Sequence, residues 1–222
     1  MRPAQLNDTV QRGLGRAARA LGAWCDAFRP RGVVDPLQAS NRFLKLQASF
    51  FAPGKAFVKP DGYGHAGWWA LLDSAYTRPG DYILRPSSRA GAADGGTWFV
   101  ASQQSLMPVL CVRANRVVRG ARPGSAELAG VNLYGGVTAA TAVPLFSGWP
   151  ASVLSDGGGG LDRTNLPADA PAESWRVLLP KIEGVVLRGG DLLYDDLGRT
   201  GVVSAAELTE LGWRLVVRQA TT

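Results

Sequence analysis

Pro79-Gly80-Asp81-Tyr82-Ile83-Leu84 and Gly189-Gly190-Asp191-Leu192-Leu193-Tyr194 decide the reading of this chain. Each opens a β-rich stretch. The first runs on through a Gly-rich turn into Thr97-Trp-Phe-Val-Ala-Ser-Gln-Gln104 and Val109-Leu-Cys-Val-Arg-Ala-Asn-Arg-Val-Val118. The second runs through Asp195-Asp-Leu-Gly-Arg199 into Thr200-Gly-Val-Val-Ser-Ala-Ala-Glu207 and then Trp213-Arg-Leu-Val-Val-Arg-Gln219. The two Gly-Asp pairs lie 110 residues apart. Val100-Ala101-Ser102 lines up with Val202-Val203-Ser204, and Cys111-Val112-Arg113 with Val216-Val217-Arg218, at offsets that turns of unequal length would produce. Repetition constrains architecture more than any single residue does. It predicts a mainly β protein with an N-terminal α-helix and two small SH3-like, barrel or sandwich β-modules with long loops.

Outward from the repeat, the chain divides into four stretches: an N-terminal amphipathic basic helix (1–32), a first β-module with an irregular lead-in (33–123), a loop-rich insert (124–174) and a second β-module (175–222). From Ala4 to Phe28, Leu6, Val10, Leu14, Ala17, Leu21, Trp24, Cys25 and Phe28 follow helical spacing. Arg12, Arg16 and Arg19 fall on the opposite side. Asn7-Asp8-Thr9 offers an N-cap, so the start could lie near residue 8. Arg29-Pro30-Arg31-Gly32 is the expected stop. The apolar stripe is read as a docking face and not as a membrane anchor, because its polar side has few lysines and its apolar side is alanine-rich. Residues 33–79 are punctuated by Pro, Gly, Asn and Asp. Of Trp68 and Trp69, adjacent on a strand, only one can point inward. Strands are expected at 81–85, 97–103 and 108–119, with Gly91, Gly95 and Gly96 supplying positive φ in the intervening turn. Asp195–Arg199 reads as a tight hairpin turn. Gly157–Gly160 reads as a flexible loop; no Lys-Ser/Thr follows it, so it is not a phosphate cradle.

Net charge is +6 over 222 residues. Residues 1–60 hold ten Lys/Arg and three Asp/Glu, so the whole basic excess lies at the N-terminal end. That end is expected to meet an acidic surface or nucleic acid. Arg12, Arg16, Arg19, Arg29 and Arg31 are the candidate partner or DNA contacts. No apolar run reaches the length of a membrane span, and no secretory leader is read at the N-terminus. Cys25 and Cys111 sit in unlike contexts and are expected to be two buried free thiols.

The chemistry of catalysis finds little purchase. His65 is the single histidine, with no His or Cys neighbour, so no zinc or other metal site is expected. Asp195-Asp196 lies in a turn and Glu207 with Glu210 on a solvent-facing segment, so no carboxylate pair converges on a cleft. No nucleophile elbow is present. Arg113, Arg116, Arg119 and Arg122 recur at three-residue spacing, which on a strand alternates faces and makes no single stripe. The expectation is a protein without catalysis and without a cofactor.

Residues 185–219, with Val-Leu-Arg-Gly-Gly-Asp-Leu-Leu, Asp-Asp-Leu-Gly-Arg and Leu-Gly-Trp-Arg-Leu-Val-Val-Arg, resemble the small β-barrel stopper, neck or head-completion proteins of tailed bacteriophages. Asp35-Pro-Leu-Gln-Ala-Ser-Asn-Arg-Phe43 and the first repeat look similar to virion proteins of phages and prophages of high-GC bacteria. The resemblance implies a virion structural protein made in the host bacterial cytoplasm. It implies a ring homo-oligomer at the head–tail connector or proximal tail, with portal, adaptor or tail proteins as partners and non-specific contact with passing DNA. The length, second module and basic helix depart from the simple stopper pattern and suit an adaptor as well. The alternative is a monomeric SH3- or OB-like module that binds peptide or nucleic acid.

Overall fold

A computed structural model of the chain describes residues 3–51, 66–89, 94–124, 142–155 and 174–220. After helix α1 (Pro3–Leu21) come β1 (Ala23–Phe28), β2 (Arg42–Phe51), β3 (Gly67–Leu71), β4 (Tyr82–Arg85), β5 (Gly96–Ser102) and β6 (Val109–Ala114). They close into an antiparallel barrel in the order β1-β2-β3-β6-β5-β4. A second set follows: β7 (Arg116–Arg122), β8 (Val143–Ser155), β9 (Ser174–Leu179), β10 (Leu192–Asp195), β11 (Thr200–Thr209) and β12 (Gly212–Gln219). These close as β7-β8-β9-β12-β11-β10, the same path one barrel later. The protein is mainly β with one N-terminal helix and two β-modules, as the repeat predicts.

The repeat extends to detail. In the first barrel Val100 pairs with Cys111, and a bulge follows before Ser102 meets Leu110. In the second, Val203 pairs with Val217, and a bulge follows before Ala205 meets Val216. Val100 therefore corresponds to Val203 and Cys111 to Val217, each one residue beyond the alignment drawn from sequence. Such a slip exchanges the two faces of a strand.

Three boundaries differ from the sequence reading. The helix stops at Leu21 and not near Arg29. Gly22 donates its N–H to the Ala18 carbonyl at 2.8 Å and lies against the Ala48 backbone, where a Cβ would come within 2.7 Å of the Ala48 carbonyl carbon. From Ala23 the chain alternates, with Cys25 and Ala27 buried inside the barrel and Trp24 exposed, so it pairs as β1. Residues 108–119 are two strands in different barrels, joined by Asn115 alone. The second barrel therefore starts at Arg116, and β8, within the expected insert, is its longest strand. Gly157–Gly160, Gly91 and His65 lie outside the described residues. Gly95 and Gly96 do not take positive φ; a Cβ on Gly96 would lie 2.6 Å from the Trp98 ring, so close approach is what requires glycine there.

Cys25, Ala27, Leu46, Ala48, Ala70, Leu72, Ile83, Trp98, Val100, Val109 and Cys111 fill the first barrel. Phe28, Tyr82, Phe99, Ala101 and Val112 alternate with these on the same strands, face outward, and join the core of the second barrel in one cluster with Phe146, Trp149, Ala151 and Val177. The two barrels thus share an apolar seam. Tyr82 donates its hydroxyl proton to the Pro150 carbonyl at 2.7 Å, with its ring edge-on to Trp149. Burial pushes the Tyr82 phenol well above its ordinary pKa. Trp149 Nε1 donates to the Val33 carbonyl at 3.0 Å, and Val34 bridges to Ser147, so the lead-in after β1 is stitched to β8. Asn115 closes the seam: its side chain donates to the Val153 carbonyl and accepts from the Val153 N–H, at 2.9 and 2.8 Å.

Candidate functional site

The Gly80-Asp81 and Gly190-Asp191 turns each carry a dense set of polar contacts. Gly80 and Gly190 both adopt left-handed backbone, φ +94° and +91°, where a side chain would be strained. Gly80 N–H donates to Val100 O, and Val100 N–H returns to Asp81 O, both at 2.8 Å; Gly190, Val203 and Asp191 repeat this at 2.8 Å each. Behind the turn, the buried Asp81 carboxylate accepts two bonds from Arg29, Nε at 2.9 Å and a terminal nitrogen at 2.8 Å, and one from the Arg78 N–H at 3.0 Å. Asp191 accepts the same set from Arg122, at 2.8 and 3.0 Å, and from the Arg188 N–H at 2.8 Å. Each guanidinium spends a remaining N–H on a carbonyl, of Tyr76 and of Val186. The bonds to the aspartates push both arginine pKa values up. Each clamp ties the end of the barrel's first strand to the start of its fourth. A bidentate pair with a buried carboxylate holds that closure in one geometry.

The candidate arginines consequently separate. Arg29 belongs to a clamp, with its guanidinium also 4.4 Å from the Phe43 ring centroid. Arg31 is exposed on the lead-in. Arg12, Arg16 and Arg19 are exposed along one side of α1, and Arg12 Nε donates to its own helix at Asp8 O, 3.2 Å. The helix leans on the barrel through Asn7, Gln11, Gly15 and Ala18 and not through the centre of its leucine stripe. Asn7 accepts from the Leu106 N–H, Gln11 bonds Ser74, and Gly15 lies against Asp73. Leu21 is left 72% exposed.

Between the end of the helix and the outer face of β1 and β2 lies a hollow of about 210 Å³ lined by Arg19, Trp24, Lys45, Gln47, Asp73 and Tyr76. Trp24 is 56% and Tyr76 61% exposed, and Lys45 Nζ stands 5.7 Å from the Trp24 ring centroid. Phe43, with Arg29 over its face, continues the same surface. Sequence reading missed this grouping because it placed Trp24 in the helical stripe and Phe43 and Tyr76 in an irregular lead-in. A second opening of about 500 Å³ lies beside the seam, between Arg78, Lys181, Glu183 and the β11–β12 tip at Leu208–Gly212.

The other sequence candidates are occupied by local structure. Asp195 accepts from Leu197 N–H at 3.0 Å, Arg199 N–H at 2.9 Å and Arg199 Nε at 2.7 Å, which is the turn role expected of it. Burial raises its pKa, but the Arg199 and backbone bonds outweigh this and hold it below the ordinary value. Arg113 lies over Trp68 and Trp98, Arg116 reaches Asp196 at 3.9 Å, Arg119 lies over Tyr194 and Arg122 holds Asp191, so the four make no stripe. Trp68 packs into the first barrel's core beside Trp98, and alternation turns Trp69 to the outer face. Cys25 and Cys111 are buried free thiols. Among the described residues no three His, Cys, Asp or Glu side chains gather where a metal could sit, and no helix is long and apolar enough to cross a membrane. Comparison with known protein families, with curated proteins and with solved structures finds no match.

Proposed function

We propose that this chain is a structural subunit of a phage or prophage particle, working without catalysis or cofactor. It takes part in a ring at the head–tail connector or proximal tail. Its partners are copies of itself and neighbouring portal, adaptor or tail proteins; it is made in the bacterial cytoplasm and ends in the virion. The observation that carries this reading is the fusion of two barrels into one block. A one-residue linker, a buried tyrosine bond and a shared apolar seam fix their relation, which is what a repeating wall element needs. The two Arg–Asp clamps serve barrel closure, and the 185–219 resemblance to connector proteins supplies the setting.

Sedimentation of the purified chain across a wide concentration range, with electron microscopy of the product and immunodetection on purified particles, tests the proposal. Rings, or incorporation into particles at the neck or tail, are the expected results. A monomer at every concentration that is also absent from particles overturns it and leaves the monomeric SH3- or OB-like module as the reading.

A further inference from the structure

The outer face of β1 and β2, with the adjoining side of α1, combines two properties that the rest of the described surface does not. The first is flat aromatic area left open to solvent: Trp24, Phe43 and Tyr76, with Trp24 and Tyr76 framing one hollow. The second is cationic charge placed beside those rings. Lys45 stands over Trp24, Arg29 stands over Phe43, and Arg19 lines the hollow itself. Arg16 and Arg12 continue from Arg19 along the helix. At 1.5 Å rise per residue the three arginines step by about 4.5 and 6 Å. They make no ion pair among the described residues, Asp8 one turn before Arg12 is the nearest acid along the helix, and like charges at this spacing are mutually unfavourable. Two acids share this surface: Asp73 lines the hollow, its carboxylate accepting the Ala75 N–H at 3.2 Å, and Asp26, opposite Lys45 on β1, is paired with Arg42 at 2.6 Å.

The geometry points to single-stranded nucleic acid as the ligand of this face, with bases on the Trp24 and Tyr76 rings and phosphates along Arg12, Arg16, Arg19 and Lys45. Each half of the surface makes a separate demand. The arginine row asks for a polyanion, and the rings ask for planar groups free to stack. A duplex meets the first demand and hides its bases from the second. An acidic protein face meets the charges and brings no planar partners spaced by anions. An unpaired strand supplies both in alternation, and stacking on aromatic side chains beside cations is the usual way such strands are held without sequence preference. The second barrel is an internal control: strand pairing places Val117 where the first has Trp24, and Arg119 is drawn over its own Tyr194. The shared scaffold is therefore not the source of the property. This inference stands apart from the ring reading, since it concerns one face of one chain.

Binding of a fluorescein-labelled oligothymidylate, followed by anisotropy over a salt series, tests it. The wild-type chain is expected to bind at low salt and to lose affinity steeply as salt rises. Trp24→Ala and Tyr76→Ala should each weaken binding at least about fivefold. The triple change Arg12→Ala, Arg16→Ala, Arg19→Ala should flatten the slope of log affinity against log salt by about 2. Val117→Ala in the second barrel should change nothing. All these side chains are exposed, so circular dichroism and thermal melts should match wild type. Absence of binding at low salt overturns the proposal. So does a Trp24→Ala, Tyr76→Ala double variant that binds like wild type, or a duplex of equal length that binds as tightly and as dependently on Trp24. If polyglutamate binds through the same residues and the oligonucleotide does not, the ligand is an acidic polypeptide and the proposal fails.

Discussion

The first and second barrels share a strand path, a bulge and an Arg–Asp clamp, yet they fill themselves differently and face different surroundings. In the first, Trp98 from β5 occupies the interior, stacked on Phe50 at 4.0 Å with Trp68 edge-on at 6.4 Å. The corresponding β11 residue is Gly201, where a Cβ would meet Val217 and lie 3.0 Å from the Trp175 ring. Strand pairing sets Trp175 at the position of Trp68. One barrel therefore seats two tryptophans where the other seats one and makes room with glycine. Outside, β8 of the second barrel is buried from Trp149 to Val153 against the first, while β1 and β2 of the first leave Trp24, Phe43 and Lys45 open. What repeats is the closing device; what varies is volume inside and company outside.

The largest effect should come from attacking that difference in volume. Trp98→Ala removes the centre of a stacked cluster and leaves a large cavity inside the first barrel, at a cost of about 3–5 kcal/mol. Trp98→Phe should cost far less. It keeps a ring against Phe50 and discards an indole N–H that is buried without a hydrogen-bond partner among the described residues. Denaturant unfolding of the two variants decides the matter, and a Phe variant as unstable as the Ala variant would break the stacking account. The mirror change, Gly201→Ala, should destabilise the second barrel through overpacking by about 1–3 kcal/mol.

How much of this was legible in sequence follows from the same contrast. Gly80-Asp81 and Gly190-Asp191 could be matched because a turn with a left-handed glycine and a buried aspartate tolerates few other residues. The strands beside them were matched one residue out, because apolar side chains sit on both faces: Val202 is partly exposed and Val203 buried, and the bulge hides the register. Trp24, Cys25 and Phe28 continue the helical spacing by coincidence, which hides the start of β1. Pro144, Gly148 and Pro150 interrupt β8, and this punctuation gives its sequence the character of a loop. Gly148, at φ +75°, sits where a Cβ would lie 3.2 Å from Asp35, and marks an irregular stretch of strand where the lead-in crosses. Arg29 and Arg122 stood out as charge and not as structure. Their shared role follows only once β1 and β7 are known to correspond, and the missing punctuation around Asn115 concealed β7. Of the five candidate arginines, the structure assigns Arg29 to a clamp and leaves Arg12, Arg16, Arg19 and Arg31 at the surface.

The clamps sharpen the comparison at an intermediate size. Asp81→Asn and Asp191→Asn each leave an arginine facing a neutral amide at a buried site. Because both guanidinium groups are about one-third exposed, solvent screens part of the loss, and the cost should be about 2–3 kcal/mol apiece. Near-equal losses are expected from chemical denaturation. A large inequality would show that the two barrels do not rely on the same closure, whatever their matching distances.

The smallest effect separates the barrels by pH. The first carries two buried thiols; the second has Val118 and Val217 at the corresponding positions. Burial pushes Cys25 up from 9.0 to about 11, against a lowering influence of Arg85, and pushes Cys111 higher still. The folded first barrel thus holds protons that its unfolded chain would release. The associated stability is fully present below about pH 9 and is lost as pH rises through about 11. Thermal melts between pH 8 and pH 11 should show the wild type falling more steeply than a Cys25→Ala, Cys111→Val variant, although that variant begins from a somewhat lower melting temperature. Parallel curves would mean that the thiols do not titrate on unfolding in this range. The same series should leave the reactivity of both thiols toward a disulfide reagent slow until the first barrel opens, because only the exposed thiolate attacks. If reaction runs ahead of unfolding, the first barrel opens locally at β1 or β6 while the seam still holds.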